Sequence, residues 1–229
     1  MRVLVTRPRE DAARIAAALE RRGHAPVIVP LLEARLRDGP EIALANVQAI
    51  LATSANGVRA LARRSAKRDM PLFAVGPQTA EAARETGFTH VRNADGDAKA
   101  LARAAQQWAS PEGGMLLHVK GSDAPGTLAE ALAANGFSVQ SAVLYDIVSV
   151  QAEAALRIAF AEGIDASLFF SPRSATIFRG NAAALELSTT LAVCISDATA
   201  AALAPLRFGG LRVAEKPNQD ALLACLAPG

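Results

Sequence analysis

The chain has 229 residues, 51% of them apolar and 20% charged, with 24 basic against 22 acidic side chains and a formal charge of +2. That length suits two compact domains, and that apolar share offsets the entropy of folding, which excludes a disordered chain. The charges are interspersed instead of gathered in a basic stripe, and one Trp and one Tyr leave few stacking platforms, so no nucleic acid is expected as a partner.

Short β-branched runs alternate with Ala/Leu/Arg/Glu-rich stretches of helical period, the pattern of parallel-sheet α/β architecture. Residues 3–5 predict a strand and 10–22 a helix, with Ile15, Ala18 and Leu19 on its apolar face and Gly23 just past its end. A strand over 27–29 follows. Arg35, Arg37, Asp38, Gly39 and Pro40 then interrupt the rhythm, as a connection between domains does. A new series opens with a strand over 47–52, a helix over 56–64, a strand over 72–75, a helix over 79–85 closed by Gly87, a strand over 89–92 and a helix over 98–108. A strand over 115–119, a helix over 127–134 closed by Gly136 and a strand over 139–145 complete it. After Ser149 come a helix over 152–161, strand 167–170, helix 174–178, strand 191–195, helix 198–203, strand 211–213 and helix 220–226.

Apolar runs such as 168–170 and 191–195 fall far short of the roughly 20 residues that cross a bilayer, so no membrane partner is expected. The N-terminus opens on a strand pattern without the features of an export signal, and the expected location is the cytoplasm. Cys194 and Cys225 lack the spacing of a metal site, and His24, His90 and His118 are scattered. The turns carry neither G-x-G-x-x-G nor a P-loop. Neither a metal nor a cofactor is expected.

The segments repeat. Leu51-Ala52-Thr53-Ser54-Ala55-Asn56 resembles Phe169-Phe170-Ser171-Pro172-Arg173-Ser174, each an apolar strand that ends in a hydroxyl residue and turns into a helix. Ala74-Val75-Gly76-Pro77-Gln78-Thr79-Ala80 answers Cys194-Ile195-Ser196-Asp197-Ala198-Thr199-Ala200, and the segment from Val3 to Pro8 matches that from Leu117 to Ser122. The repeated units come in circular order. This predicts a first domain from residues 1–33 and 151–229, a second inserted at 42–143, and a two-stranded linker at 34–41 and 144–150. The expected fold class is α/β: two similar parallel-sheet, flavodoxin-like domains joined by a two-stranded hinge.

In open parallel sheets, ligands bind beyond the C-terminal strand ends, where helix N-termini offer N–H groups and the positive end of the helix dipole. Those ends carry Thr6 and Arg7; Ser54, Ala55 and Asn56; Gly76, Gln78 and Thr79; Lys120, Gly121 and Ser122; Ser171, Pro172, Arg173 and Ser174; and Ala198 and Thr199. One Ser or Thr in such a turn is more often a plain cap. The same turn repeated in both lobes is better explained by an anion-binding cleft. Tyr145 stands where a strand leaves one domain for the hinge, and packing against the linker and proton donation are equally open to it.

These residues resemble the uroporphyrinogen-III synthase family over almost the whole chain: Val5-Thr6-Arg7-Pro8, Thr53-Ser54-Ala55-Asn56, Phe170-Ser171-Pro172-Arg173-Ser174, the Ala74–Ala80 turn, Leu144-Tyr145, and the inserted-domain order. The resemblance implies a HemD-like fold and an enzyme that takes hydroxymethylbilane, inverts its ring D through a spiro intermediate and closes it to uroporphyrinogen III, releasing water, without metal or coenzyme. It implies Tyr145 as the group that helps the hydroxyl leave, Thr199 at the cleft edge, and the turns above as ligands of a linear tetrapyrrole polycarboxylate. A monomer is expected, with a transient contact to the preceding pathway enzyme as a further expectation. Two positions depart from the family: Ser196 stands where Gly is frequent, and the loop 121–126 lacks an Arg many members carry, for which Lys120 can supply the charge. The alternative reading is a non-catalytic two-lobed protein that closes on a small anion.

Overall fold

The computed structural model describes residues 1–124 and 126–227; Pro125 of the 121–126 loop and the last two residues of the expected first domain lie outside the described residues. In chain order the elements are β1 (Arg2–Val5), α1 (Arg9–Glu20), β2 (Ala25–Ile28), β3 (Leu32–Leu36), β4 (Val47–Ala52), α2 (Ala55–Arg64) and β5 (Leu72–Ala74). There follow α3 (Pro77–Glu85), β6 (Val91–Asn93), α4 (Ala98–Trp108), a 3₁₀ turn at Pro111–Gly113, β7 (Met115–Gly121), α5 (Thr127–Ala133) and β8 (Val139–Ser149). The last stretch holds α6 (Glu153–Ala161), β9 (Ala166–Phe169), α7 (Pro172–Asn181), β10 (Leu191–Cys194), α8 (Asp197–Ala202), β11 (Gly210–Val213) and α9 (Gln219–Ala224).

Two compact units result, one of Met1–Glu33 with Val148–Gly229 and the other of Ala34–Ile147, and the chain passes between them inside β3 and β8. The first unit's sheet runs β11-β10-β9-β1-β2 with every pair parallel. The second runs β3-β8-β7-β4-β5-β6, parallel from β8 to β6. There β3 is antiparallel to β8: Arg37 N donates to Leu144 O and Val150 N to Leu31 O, so one strand's numbers rise as the other's fall. With β3 set aside, β2-β1-β9-β10-β11 and β8-β7-β4-β5-β6 are one flavodoxin-like order entered at different strands.

Parallel sheets are buried on both faces, which is why the strands read as nearly continuous apolar runs. In the first unit, Ile15, Leu19, Leu222 and Leu223 of α1 and α9 pack on Val3, Val5 and Leu168. On the other face Leu156 of α6 and Phe178 of α7 pack with Leu203 on Leu4 and Phe169. The second unit places Leu101 and Leu132 of α4 and α5 on Leu51 and Leu116, and Val58, Leu61 and Ala83 of α2 and α3 on Ile50 and Leu117. Burying one such Leu or Phe stabilises its unit by about 2 kcal/mol. Gly23 and Gly136, which close the repeated α1 and α5, both take positive φ, +74° and +83°, the left-handed C′ conformation.

The structure shifts some expectations. The strand expected at 139–145 continues unbroken to Ser149. α7 starts at Pro172, because Ser171 caps it and proline suits a first helical position, and it runs to Asn181. The repeat itself is offset by one residue from the sequence match, which set Val5 beside Val119. Val5 lies opposite Leu168, three residues before Ser171, and His118 lies opposite Leu51, three before Ser54. Val5 therefore answers His118, and Arg7 answers Lys120. Strand side chains alternate, so a slip of one residue exchanges the faces.

Candidate active site

In this topology ligands sit where neighbouring strands send their helices to opposite faces. That point lies between β1 and β9 in the first unit and between β7 and β4 in the second. Thr6, Arg7 and Ser171 mark it in the one, Lys120, Gly121 and Ser54 in the other.

In the first unit the hydroxyls close on their own surroundings. Buried Thr6 donates from Oγ1 to Leu168 O at 3.0 Å and ties β1 to β9. Arg7 pairs with Asp11 at 2.8 Å and lies over the Phe170 ring, 5.2 Å from its centroid. Ser171 Oγ accepts from Ser174 N at 3.1 Å, and buried Ser174 returns its hydroxyl to Ser171 O at 2.9 Å. Pro172 and Arg173 start α7 on the surface. At α8, Ser196 Oγ lies 3.0 Å from Thr199 Oγ1 and accepts from Thr199 N at 3.4 Å; Thr199 is fully buried and Ala198 exposed.

In the second unit one hydroxyl reaches further. Ser54 Oγ accepts from Gly57 N at 3.1 Å and so caps α2, where Ala55 is buried and Asn56 accepts from Arg59 at 3.1 Å. α3 starts at Gly76 without a side-chain cap, with Gln78 half-buried and Thr79 buried. The pairing of β7 with β8 then shifts: Lys120 lies opposite Val143 but Gly121 opposite Tyr145, which leaves Leu144 as an extra residue. Such a bulge re-aims side chains. Here two consecutive residues turn inward, Leu144 at 1% and Tyr145 at 7% exposure.

The Tyr145 ring can thus cross β7, the strand between its own β8 and β4, and its phenol oxygen lies 2.7 Å from Ser54 Oγ. The crossing passes over Gly121, where a Cβ would stand 2.7 Å from ring atoms Cε2 and Cζ. A side chain at 121 would occupy the ring's space. Ser122 N donates to Tyr145 O at 3.0 Å and holds the backbone beside the bulge.

Two titratable groups lie near this site: Asp146, which the sequence reading did not name, and His118, which it set aside as one of three scattered histidines. Asp146, next to Tyr145, accepts from Arg37 Nε at 2.8 Å and Nη2 at 2.6 Å, and the Arg37 guanidinium, then Ser122, hold its carboxyl down at about 2. A basic Arg35-x-Arg37 segment expected to pair with one carrying Asp146 was the available signal. His118 is 1% exposed; its Nε2 lies 3.3 Å from Thr53 Oγ1, and its Nδ1 has no hydrogen-bond partner among the described residues. Burial, with a smaller push from Lys120, lowers His118 to about 4, so it is neutral at pH 7.

A cavity of about 430 Å³ lined by Gln48, Phe73, His90, Arg92 and Trp108 lies at the other end of the second sheet, among the strand starts, and holds none of the candidates. Among the described residues, no group of three or more His, Cys, Asp or Glu is placed to hold a metal ion. No helix among them is long and apolar enough to cross a membrane.

Fold and strand ends together define a protein of two flavodoxin-like α/β units, one inserted in the other, with polar turns at the switch point of each. Residues 13–224 match the family described as Uroporphyrinogen-III synthase HemD. The chain belongs to the uroporphyrinogen-III synthase family and is an enzyme of the cyclising-lyase kind, of tetrapyrrole biosynthesis. The crystal structure of uroporphyrinogen-III synthetase from Helicobacter pylori shares its fold with a TM-score of 0.60 and 18% identity, over 88% of this chain and 91% of that one. A mutant uroporphyrinogen III synthase from the extremely thermophilic bacterium Thermus thermophilus has 21% identity over 98% of this chain and 96% of its own, with a TM-score of 0.48. No curated protein matches the chain in a sequence comparison.

Proposed function

We propose that the chain converts hydroxymethylbilane to uroporphyrinogen III and that Tyr145 supplies the proton for the departing hydroxyl. Loss of that hydroxyl as water leaves an azafulvene cation. The substituted carbon of ring D attacks it, and the spiro intermediate opens and recloses with the ring inverted. The pyrroles provide the electrons, so the protein's part is to fold the substrate, exclude water and move one proton. The observation that carries this reading is the Tyr145 phenol itself: nearly buried, aimed by a bulge across Gly121, and held 2.7 Å from Ser54 at the switch point of its sheet.

The turns carrying Thr6, Arg7, Asn56, Gly76, Gln78, Thr79, Lys120, Ser122, Ser171, Arg173 and Ala198 supply amides and positive charge for the substrate's carboxylates. Thr199 contributes through the backbone of its turn, where its N–H also donates to Ser196 O at 3.0 Å. Incubation with freshly made hydroxymethylbilane, followed by separation of the isomers, tests the proposal. It expects the type III isomer; the spontaneous type I isomer alone would leave a protein that binds without catalysing.

A further inference from the structure

We infer that Ser54 is a positioning residue that sets the direction of the Tyr145 proton, an inference that rests on the reading of Tyr145 as proton donor. A serine hydroxyl has one proton to give and two lone pairs to accept with. Gly57 N, at 3.1 Å, donates to one lone pair, and the other partner of Ser54 Oγ among the described residues is the phenol oxygen at 2.7 Å. If Tyr145 donates to Ser54, the phenol proton is held inside the protein. If Ser54 donates to Tyr145, that proton is left for a substrate hydroxyl.

The helix cap biases the pair toward the second arrangement, against the greater acidity of the phenol, because an N–H given to Oγ occupies one of its lone pairs, polarises the serine hydroxyl and strengthens the bond it gives in turn. The ring cannot swing to another partner: it is 7% exposed and lies against Gly121. In the reaction the Tyr145 O–H bond breaks, its proton goes to the substrate hydroxyl oxygen, and the C–O bond breaks toward oxygen as water leaves. The phenolate that remains keeps the Ser54 donor and faces the N-terminus of the ten-residue α2, whose dipole stabilises negative charge. When the inverted pyrrole recloses, its α-carbon loses a proton, which returns to the phenolate and restores Tyr145.

Ser54→Asp separates positioning from capping. Aspartate caps a helix as well as serine does, so α2 keeps its start, but a carboxylate accepts only and draws the phenol proton to itself. We expect kcat to fall by about tenfold to a hundredfold, while any repulsion of the acidic substrate appears separately in KM. Ser54→Thr keeps hydroxyl and cap and should hold kcat within about threefold of wild type.

Tyr145 is the only tyrosine of the chain, so the Raman Fermi doublet of tyrosine reports its hydrogen bond without overlap. The doublet should move to the strong-donor limit in Ser54→Asp and stay in place in Ser54→Thr. If Ser54→Asp does not fold, Ser54→Ala carries the same test, with the same fall in kcat expected. Wild-type kcat in a folded Ser54→Asp or Ser54→Ala, beside a slow Tyr145→Phe, overturns the inference alone. Type I product alone from the wild type overturns the reading beneath it as well.

Discussion

The two units share a sheet order and a set of capped turns, yet they use their hydroxyls differently. In the first, Ser171 with Ser174 and Ser196 with Thr199 satisfy one another within one turn, and Thr6 bonds the neighbouring strand. In the second, Ser54 caps its helix and also meets a phenol from a strand two places away. The lesson is that a duplicated turn can keep its structural duty while one copy reaches a side chain from another strand. That reach required three changes absent from the first unit: a bulge in β8, a glycine beneath the ring, and the tyrosine itself.

The comparison breaks most visibly at Tyr145. Tyr145→Phe keeps the ring and removes only the hydroxyl, and we expect kcat to fall by about a hundredfold to a thousandfold with little change in product binding. An equal loss in both would make the ring a packing element. Next in size is an effect on stability. Val5 of the first unit matches His118 of the second, and burial lowers His118 to about 4. The unfolded chain takes up the proton at its ordinary value of about 6.5, so stability is complete above that pH and declines toward pH 4, by about 3 kcal/mol. His118→Val, which copies the first unit, should flatten that slope in denaturant titrations; an unchanged slope would show that another group carries it.

Gly121→Ala sharpens the contrast at lower cost. Its Cβ would stand 2.7 Å from the Tyr145 ring, so the ring must shift, and kcat should fall by about tenfold with a loss of about 1–3 kcal/mol from overpacking. Wild-type kinetics would mean that the phenol needs no fixed place. Smallest is Ser196→Ala in the first unit. It should lower stability by about 1 kcal/mol through the lost cap, seen as a modest drop in Tm, and keep kcat within about a factor of two. A large kinetic effect there would bring the two units closer in role than their hydrogen bonds suggest.

Much of the fold was legible because helices and buried parallel strands carry different periods, and because the turns Thr53–Asn56 and Phe170–Ser174 repeat. The offset between Val5 and His118 was not, since short apolar strands carry no mark of register and only the pairing with β9 and β4 sets it. The turn residues were visible as candidates from their place after strands. What each hydroxyl does was not: the Ser54 and Tyr145 contact joins residues 91 positions apart and depends on a bulge at Leu144. Gly121 read as a turn amide, and its role as the space for a ring appears only once β8 lies beside β7.

The most direct test is the single-turnover rate of ring closure in ordinary and heavy water, for the wild type and for Tyr145→Phe. If the phenol hands its proton to the leaving hydroxyl, the wild type slows in heavy water, and the variant is slow in both solvents and loses most of that isotope effect. Equal rates for the two proteins, or an isotope effect unchanged by the substitution, would contradict the account.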